Sequence, residues 1–254
     1  MRLADNPGMT RDLFRDDAYL RDCEATVLAV RPDGVVLDRT VFYPLGGGQA
    51  GDSGLLELPG GRTLAIADTR KAKDAEGTPT NDILHVPAPG QEDILATLQA
   101  GQRVSARVDW ERRHKLMRFH TTTHLLCHLV PQLVNGCSIT PEYARLDFNM
   151  TDPLDKDALT TGIARLVAAA HPVTVGAITD DELDANPSLV KSMSVQPPRG
   201  TGRVRTIRVG ADTLVDFQPC GGTHVANTSE IGSVVVTKIE KKSATTRRVV
   251  LGFA

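Results

Sequence analysis

The period of the apolar residues changes near residue 110, and one repeating architecture cannot carry both halves. Before that point apolar and polar positions alternate. EATVLAV (24–30), the turn Pro32-Asp33-Gly34 and VVLDRTVFY (35–43) read as strand, turn, strand. GLLELPGGRTLAIAD (54–68) repeats the pattern around Pro59-Gly60-Gly61, and RVSARVD (103–109) reads as the last strand of the series. Short strands at this spacing predict a small β-barrel or sandwich. From Trp110 to about Leu133 the chain then reads as one long helix. A second helix is expected over 152–170, with Thr151-Asp152-Pro153 supplying the cap and a first-turn proline. A shorter acidic helix follows over 180–190, and RVRTIRVG, DTLVDFQP, IGSVVVTKIE and RRVVLGFA read as strands. The expected class is α+β: a small β-barrel domain over 1–109, then a domain over 110–254 with helices packed on an antiparallel sheet.

Composition narrows the setting more than the chemistry. No run approaches the ~18 apolar residues of a membrane helix, and the first twenty residues lack the apolar core of a signal peptide. A cytoplasmic protein without a membrane partner is expected, so the sequons at Asn149 and Asn227 carry little meaning. Cys23, Cys127, Cys137 and Cys220 lie scattered, and read as thiols or metal ligands rather than a disulfide framework. A formal net charge of −2 provides no global attraction for nucleic acid, which disfavours a DNA binder but leaves local basic patches open.

Chemistry enters at FHTTTH (119–124). Three consecutive threonines are poor helix material, each costing roughly 0.5–0.7 kcal/mol relative to alanine. Yet His120 and His124 stand four apart, on one helical face. Alone, such a pair is as readily ordinary polar packing as a metal half-site. Pro219-Cys220-Gly221-Gly222-Thr223-His224 tips the balance: Cys-x3-His falls within zinc half-site spacing, and the glycines let both donors turn to one point. Three imidazoles and one thiolate suit Zn²⁺, one ion per chain. The metalloprotease helix motif places a glutamate base after its first histidine, and Thr121 stands there instead, which argues against proteolysis.

HTTTH followed about a hundred residues later by CGGTH resembles the editing domain of alanyl-tRNA synthetase, and more closely the free-standing AlaX family of medium length. The resemblance covers nearly the whole chain, including PLGGGQAGDSGLL, ARLDFNM and TTRRVVLGF. It implies that His120, His124, Cys220 and His224 form a catalytic zinc site. It also implies that Gly46, Gly47, Gly48 and Gln49 form a loop assisting RNA or substrate recognition; the plain alternative is a tight barrel turn. A discriminating hydroxyl is expected after the first zinc helix, with Ser138 and Thr140 as candidates. The hydroxyls of Thr121, Thr122 and Thr123 are further candidates for the pocket, unless they bond their own helix. The implied reaction is hydrolysis of the ester joining serine or glycine to tRNA(Ala). A methyl-sized pocket excludes such amino acids poorly, since small differences give only ~1–3 kcal/mol.

Two other readings remain beside this one: a zinc-stabilised tRNA-binding module without catalysis, and a deacylase for another mischarged tRNA such as Ser-tRNA(Thr). For the RNA partner, basic residues flank the metal motifs: Arg112, Arg113, Lys115 and Arg118; Arg199, Arg203, Arg205 and Arg208; Lys238, Lys241, Lys242, Arg247 and Arg248. Few aromatics are present for base stacking, so backbone and acceptor-stem shape are expected to dominate recognition.

Overall fold

A computed structural model describes residues 10–197 and 202–254. The chain divides into two compact units, Met1–Gly46 with Ala50–Arg113, and Gly47–Gln49 with His114–Ala254. The architecture is α+β, with mostly antiparallel sheets and few helices.

The first unit contains β1 (Arg11–Asp12), α1 (Leu13–Asp16), β2 (Asp22–Arg31), β3 (Gly34–Leu37), β4 (Arg39–Thr40), β5 (Gly54–Glu57), β6 (Thr63–Lys73), β7 (Pro79–Pro87), α2 (Glu92–Leu95) and β8 (Arg103–Val108). Six of these strands pair in the order β2-β3-β7-β6-β5-β8, and β8 pairs back on β2, so the sheet closes on itself. Alternation along the strands turns Val27, Val35, Leu37, Leu56, Leu64 and Ala106 into one buried cluster. The two short strands β1 and β4 pair in parallel beside it. β7 has no clear strand pattern in sequence: it starts on a proline and carries Asn81-Asp82 before its apolar stretch.

His85 of β7 is fully buried, its Nε2 2.8 Å from Thr40 Oγ1 and its Nδ1 3.1 Å from the Val35 carbonyl. Burial pushes its pKa down to about 4, against the smaller upward pull of the Val35 carbonyl. The native ring is therefore neutral while the unfolded ring takes up a proton below about 6.5. The stability it contributes is complete above pH ~6.5 and drains by up to about 1.4 kcal/mol per pH unit as pH falls toward 4. Urea midpoints measured from pH 7 to pH 4 should fall more steeply for the wild type than for His85→Gln. Parallel curves for the two proteins would refute this account.

α3 (Trp110–Leu129) starts in the first unit and continues into the second. Asp109 caps it, with Oδ1 accepting from Arg112 N at 3.1 Å. It is shorter than the sequence suggested. Pro131 has no N–H to continue the ladder, and the chain turns into a strand at Val134. The threonines are accommodated because two of their hydroxyls bond back to the helix. Thr122 Oγ1 donates to the Arg118 carbonyl at 2.8 Å and Thr123 Oγ1 to the His120 carbonyl at 2.7 Å. From Phe119 to Cys127 every residue is buried, so this stretch has no solvent face.

The second unit continues with β9 (Val134–Ile139), β10 (Ala144–Asn149), α4 (Lys156–Ala168), β11 (Val173–Ile178), α5 (Asp180–Ala185), β12 (Val204–Val209), β13 (Asp216–Pro219), β14 (Val234–Ser243) and β15 (Thr246–Phe253). One antiparallel sheet runs β14-β15-β10-β9 and a second runs β11-β12-β13. α4 packs on β14, and Val236 N donates to Thr160 Oγ1 at 3.1 Å. Its cap is Asp155, whose Oδ1 accepts from Asp157 N and Ala158 N, rather than the expected Thr151–Pro153 segment. The acidic helix stops at Ala185 because Pro187 follows, leaving a 3-10 turn over Pro187–Leu189. β9, β10 and β11 went unread in sequence: they are six residues each, and Gly136 and Gly176 interrupt two of them. Among the described residues no helix is long and apolar enough to cross a membrane.

Candidate metal centre

α3 presents His120 and His124 one turn apart, and the segment after β13 presents Cys220 and His224. One donor atom from each of the four lies within 4.8 Å of all the others. Cys220 Sγ stands 3.4 Å from His120 Nε2 and 3.3 Å from His224 Nε2. Bond lengths of ~2.0–2.3 Å in a tetrahedral zinc site give donor–donor edges of about 3.5 Å. The spacing and the donor types therefore fit Zn²⁺.

What aims the donors is a ring of second partners, one for each imidazole. His120 Nδ1 donates to Gln49 Oε1 at 2.7 Å, and His124 Nδ1 to Asp216 Oδ2 at 2.8 Å. His224 Nδ1 meets Thr121 Oγ1 at 3.2 Å. With Nδ1 engaged on all three rings, each Nε2 is left for the centre. Gln49 is itself held, donating to Thr223 Oγ1 at 2.9 Å and accepting from Thr223 N at 3.1 Å. Arg205 clamps the ligand loop: its Nη1 donates to the Cys220 carbonyl at 2.6 Å and the Gly222 carbonyl at 3.0 Å.

Two glycines make this packing possible. A Cβ on Gly222 would overlap the His120 ring and lie 2.9 Å from Gln49 Oε1. Gly48, at φ +87°, presses on Cys137, whose Cβ and Sγ would each be 2.9 Å from an added Cβ. Gly48 also accepts from Ile139 N at 2.7 Å, which seats Gly47–Gln49 against β9.

The electrostatics favour a ligated thiolate. Burial would raise the Cys220 thiol, but the His120 and His224 rings facing its sulfur outweigh it and hold it well below the usual thiol range. Burial, followed by the charge of His120, holds His224 well below the usual imidazole range. Burial also disfavours a charged His124, yet Asp216 and Cys220 outweigh it and push that ring up to about 10. A metal bound through His124 Nε2 would displace a proton from that ring.

The remaining candidates separate. Thr121 stands behind a donor ring, its Oγ1 at His224 Nδ1, and also accepts from Val225 N at 3.2 Å. Thr122 and Thr123 give their hydroxyl protons to helix carbonyls. Ser138 pairs in register with Arg145, on the face of β9 opposite Cys137. Thr140 Oγ1 closes a turn, donating to the Tyr143 carbonyl and accepting from Glu142 N and Tyr143 N. Gly46 belongs to the first unit, where its carbonyl accepts from the Tyr43 hydroxyl at 2.8 Å. Sequence reading missed Asp216, Thr223 and Gln218, whose Nε2 donates to Asp216 Oδ2 at 2.8 Å, and took Arg205, which holds the ligand loop, for an RNA contact.

Most of the expected RNA-facing cations are occupied elsewhere. Arg113 is fully buried against Asp52. Arg112 donates to the Gly51 carbonyl, Arg118 to Ile231, and Arg208 to Gly210 and Ala211. Arg247 caps the carbonyls of Ser243 and Thr151, Arg248 pairs with Asp147, and Lys238 pairs with Glu240. Lys241 and Lys242 are exposed, and Arg199 lies outside the described residues.

Residues 204–250 match the family model described as threonyl and alanyl tRNA synthetase second additional domain. Residues 16–112 match the model of class II (A) tRNA synthetases. The chain is 32% identical over 249 residues to the alanyl-tRNA editing protein AlaX-M of Methanosarcina barkeri, covering 94% of this chain and 97% of that one. It is 29% identical over 245 residues to the protein of the same name from Saccharolobus solfataricus, covering 95% and 98%. It is also 30% identical over 253 residues to the alanine–tRNA ligase of Sulfurisphaera tokodaii, of which it spans 26%.

Proposed function

The chain belongs to the AlaX-M family of alanyl-tRNA editing proteins, and from that premise we propose that it hydrolyses the ester joining a wrong amino acid, chiefly serine and also glycine, to tRNA(Ala). The observation that carries the reading is the convergence of His120, His124, Cys220 and His224, each imidazole fixed at Nδ1 by its own partner. When bound there, one zinc ion supplies Lewis-acid polarisation of the ester or activation of water. The protein's own part is to hold the donors, through Gln49, Thr121 and Asp216, and to keep the site dry. Gly47 and Gly48 set Gln49 in place against Cys137 and Ile139 of β9. Thr121, Thr122, Thr123, Ser138 and Thr140 stand as the candidate discriminating hydroxyls, and of these Thr121 is the one that touches a donor ring, at His224 Nδ1. A barrel domain over 1–109 precedes an editing domain over 110–254 that carries the chemistry, in the cytoplasm.

A second reading has a specific observation behind it. Four protein donors complete a tetrahedron, and all three histidines are at most 5% exposed, as in zinc sites that only stabilise a fold. The matched model also names the threonyl enzyme, which keeps Ser-tRNA(Thr) in view.

One assay separates the three: deacylation of Ser-tRNA(Ala), Gly-tRNA(Ala), Ala-tRNA(Ala) and Ser-tRNA(Thr) by the pure protein. Ser-tRNA(Ala) should be cleaved at least about tenfold faster than Ala-tRNA(Ala), because a site built for a hydroxyl leaves a polar group unpaired with alanine. Thr121→Val should shrink that ratio. Binding of tRNA without hydrolysis of any substrate would favour the module, and preference for Ser-tRNA(Thr) the third reading.

A further inference from the structure

β11 is an edge strand with an open side. It pairs with β12 alone among named strands, in an unbroken register from Val173↔Val209 to Ile178↔Val204. Arg205, Ile207 and Val209 of β12 turn their backbone groups toward β13, since the carbonyls of Arg205 and Val209 accept from Cys220 N and Val215 N. Thr206 and its neighbours two apart therefore serve β11, through their opposites Thr174, Gly176 and Ile178. The N–H and C=O of Val173, Val175 and Ala177 point away from β12. Val173 confirms this, because its N–H reaches the Ala226 carbonyl at 2.8 Å on the far side. The segment 226–228 covers the edge as far as Val173 and no further. Among the described residues, four backbone groups on Val175 and Ala177 are left facing outward.

Natural sheets protect such edges with charges, prolines or bulges. Residues 174–178, Thr-Val-Gly-Ala-Ile, have none of these, and Val175 is 56% exposed. We propose that this edge pairs with the same strand of a second copy, in antiparallel register about a two-fold axis at Gly176. In that register Val175 lies opposite Ala177 of the second copy, and Ala177 opposite its Val175. Each such pair exchanges two hydrogen bonds, so all four open groups of each copy are satisfied. Gly176 meets Gly176 in the close, non-hydrogen-bonded pair, where the absence of side chains admits the approach. A one-residue shift would place Gly176 and Ile178 groups, already bonded to β12, against the partner. The open groups thus select a self-complementary register, which points to a second copy rather than an unrelated strand.

Light scattering on the intact, metal-loaded protein as it elutes from a sizing column tests this. Wild type should run at twice 27.3 kDa at high concentration and dissociate on dilution. Ala177→Pro deletes an outward N–H while leaving the β12 ladder whole, and should weaken dimerisation at least about tenfold. Val175→Lys alters only an exposed side chain, brings two charges together across the axis, and decides the matter should the proline variant misfold. Oxidation should crosslink Gly176→Cys, since non-hydrogen-bonded pairs hold their Cα atoms ~4.5 Å apart, within disulfide reach, and leave Thr174→Cys without a crosslink. A wild type monomeric at all concentrations would overturn the proposal. So would a dimer indifferent to both β11 variants, or equal crosslinking at 174 and 176.

Discussion

Gly222→Ala should remove bound metal and tRNA deacylation together, at least about a hundredfold in activity, although position 222 offers no ligand atom. The added methyl has no free space: it overlaps the His120 ring and crowds Gln49 Oε1, the group that orients that ring. Either His120 leaves its place or the ligand loop moves off Arg205, and both scatter the donors. Metal analysis of the purified variant, beside Cys220→Ala as reference, makes the comparison. A variant that keeps one metal per chain and wild-type hydrolysis would show that the loop tolerates what the geometry forbids. Gly136→Ala serves as the control, because its backbone is ordinary strand and a Cβ there meets only the Asp147 side chain, at 3.4 Å.

Arg113→Ala should cost the first unit about 3–5 kcal/mol, because it strands a buried carboxylate. Arg113 Nε lies 3.0 and 2.9 Å from the two Asp52 oxygens, and its other nitrogens donate to the carbonyls of Ala18 and Val41. Asp52 also accepts from Tyr43 N. Removing the guanidinium leaves that carboxylate, 1% exposed, without a counter-charge. The melting temperature should drop on the order of 10 °C, measurable by calorimetry. Arg112→Ala, one residue earlier and only partly buried, should move it little. Equal shifts for the two variants would remove the ion pair from the account of stability.

That pair also marks where sequence reading stops. Arg112, Arg113, Lys115 and Arg118 look alike as letters, a basic run on one helix. In the fold, one arginine is a core residue, another caps the Gly51 carbonyl, and a third lies over the Phe253 ring at 4.2 Å. Charge patterning could not separate them because burial depends on what other segments bring to the helix. The four metal donors were legible for the opposite reason. Their chemistry is rare, and Cys-Gly-Gly-Thr-His sets its own local geometry. Their supports were not: Asp216, Thr223 and Arg205 are common residues whose roles depend on contacts far away in sequence. The strands followed the same rule. β2 and β8 alternate visibly, whereas β9 and β11 carry a glycine within six residues and are held by pairing with neighbours.

The separations within the metal centre have a consequence for how the chain assembles. Gln49 meets His120 across 71 residues, Asp216 meets His124 across 92, and Cys220 meets His120 across 100. Closing loops of such length has an entropic cost that must be met before any donor finds another. During synthesis α3 emerges with two histidines and nothing to complete them, for the whole time that residues 125 to 219 are being added. The centre therefore cannot nucleate folding. It closes only once distant segments have met, and a metal held there would act as a latch across them.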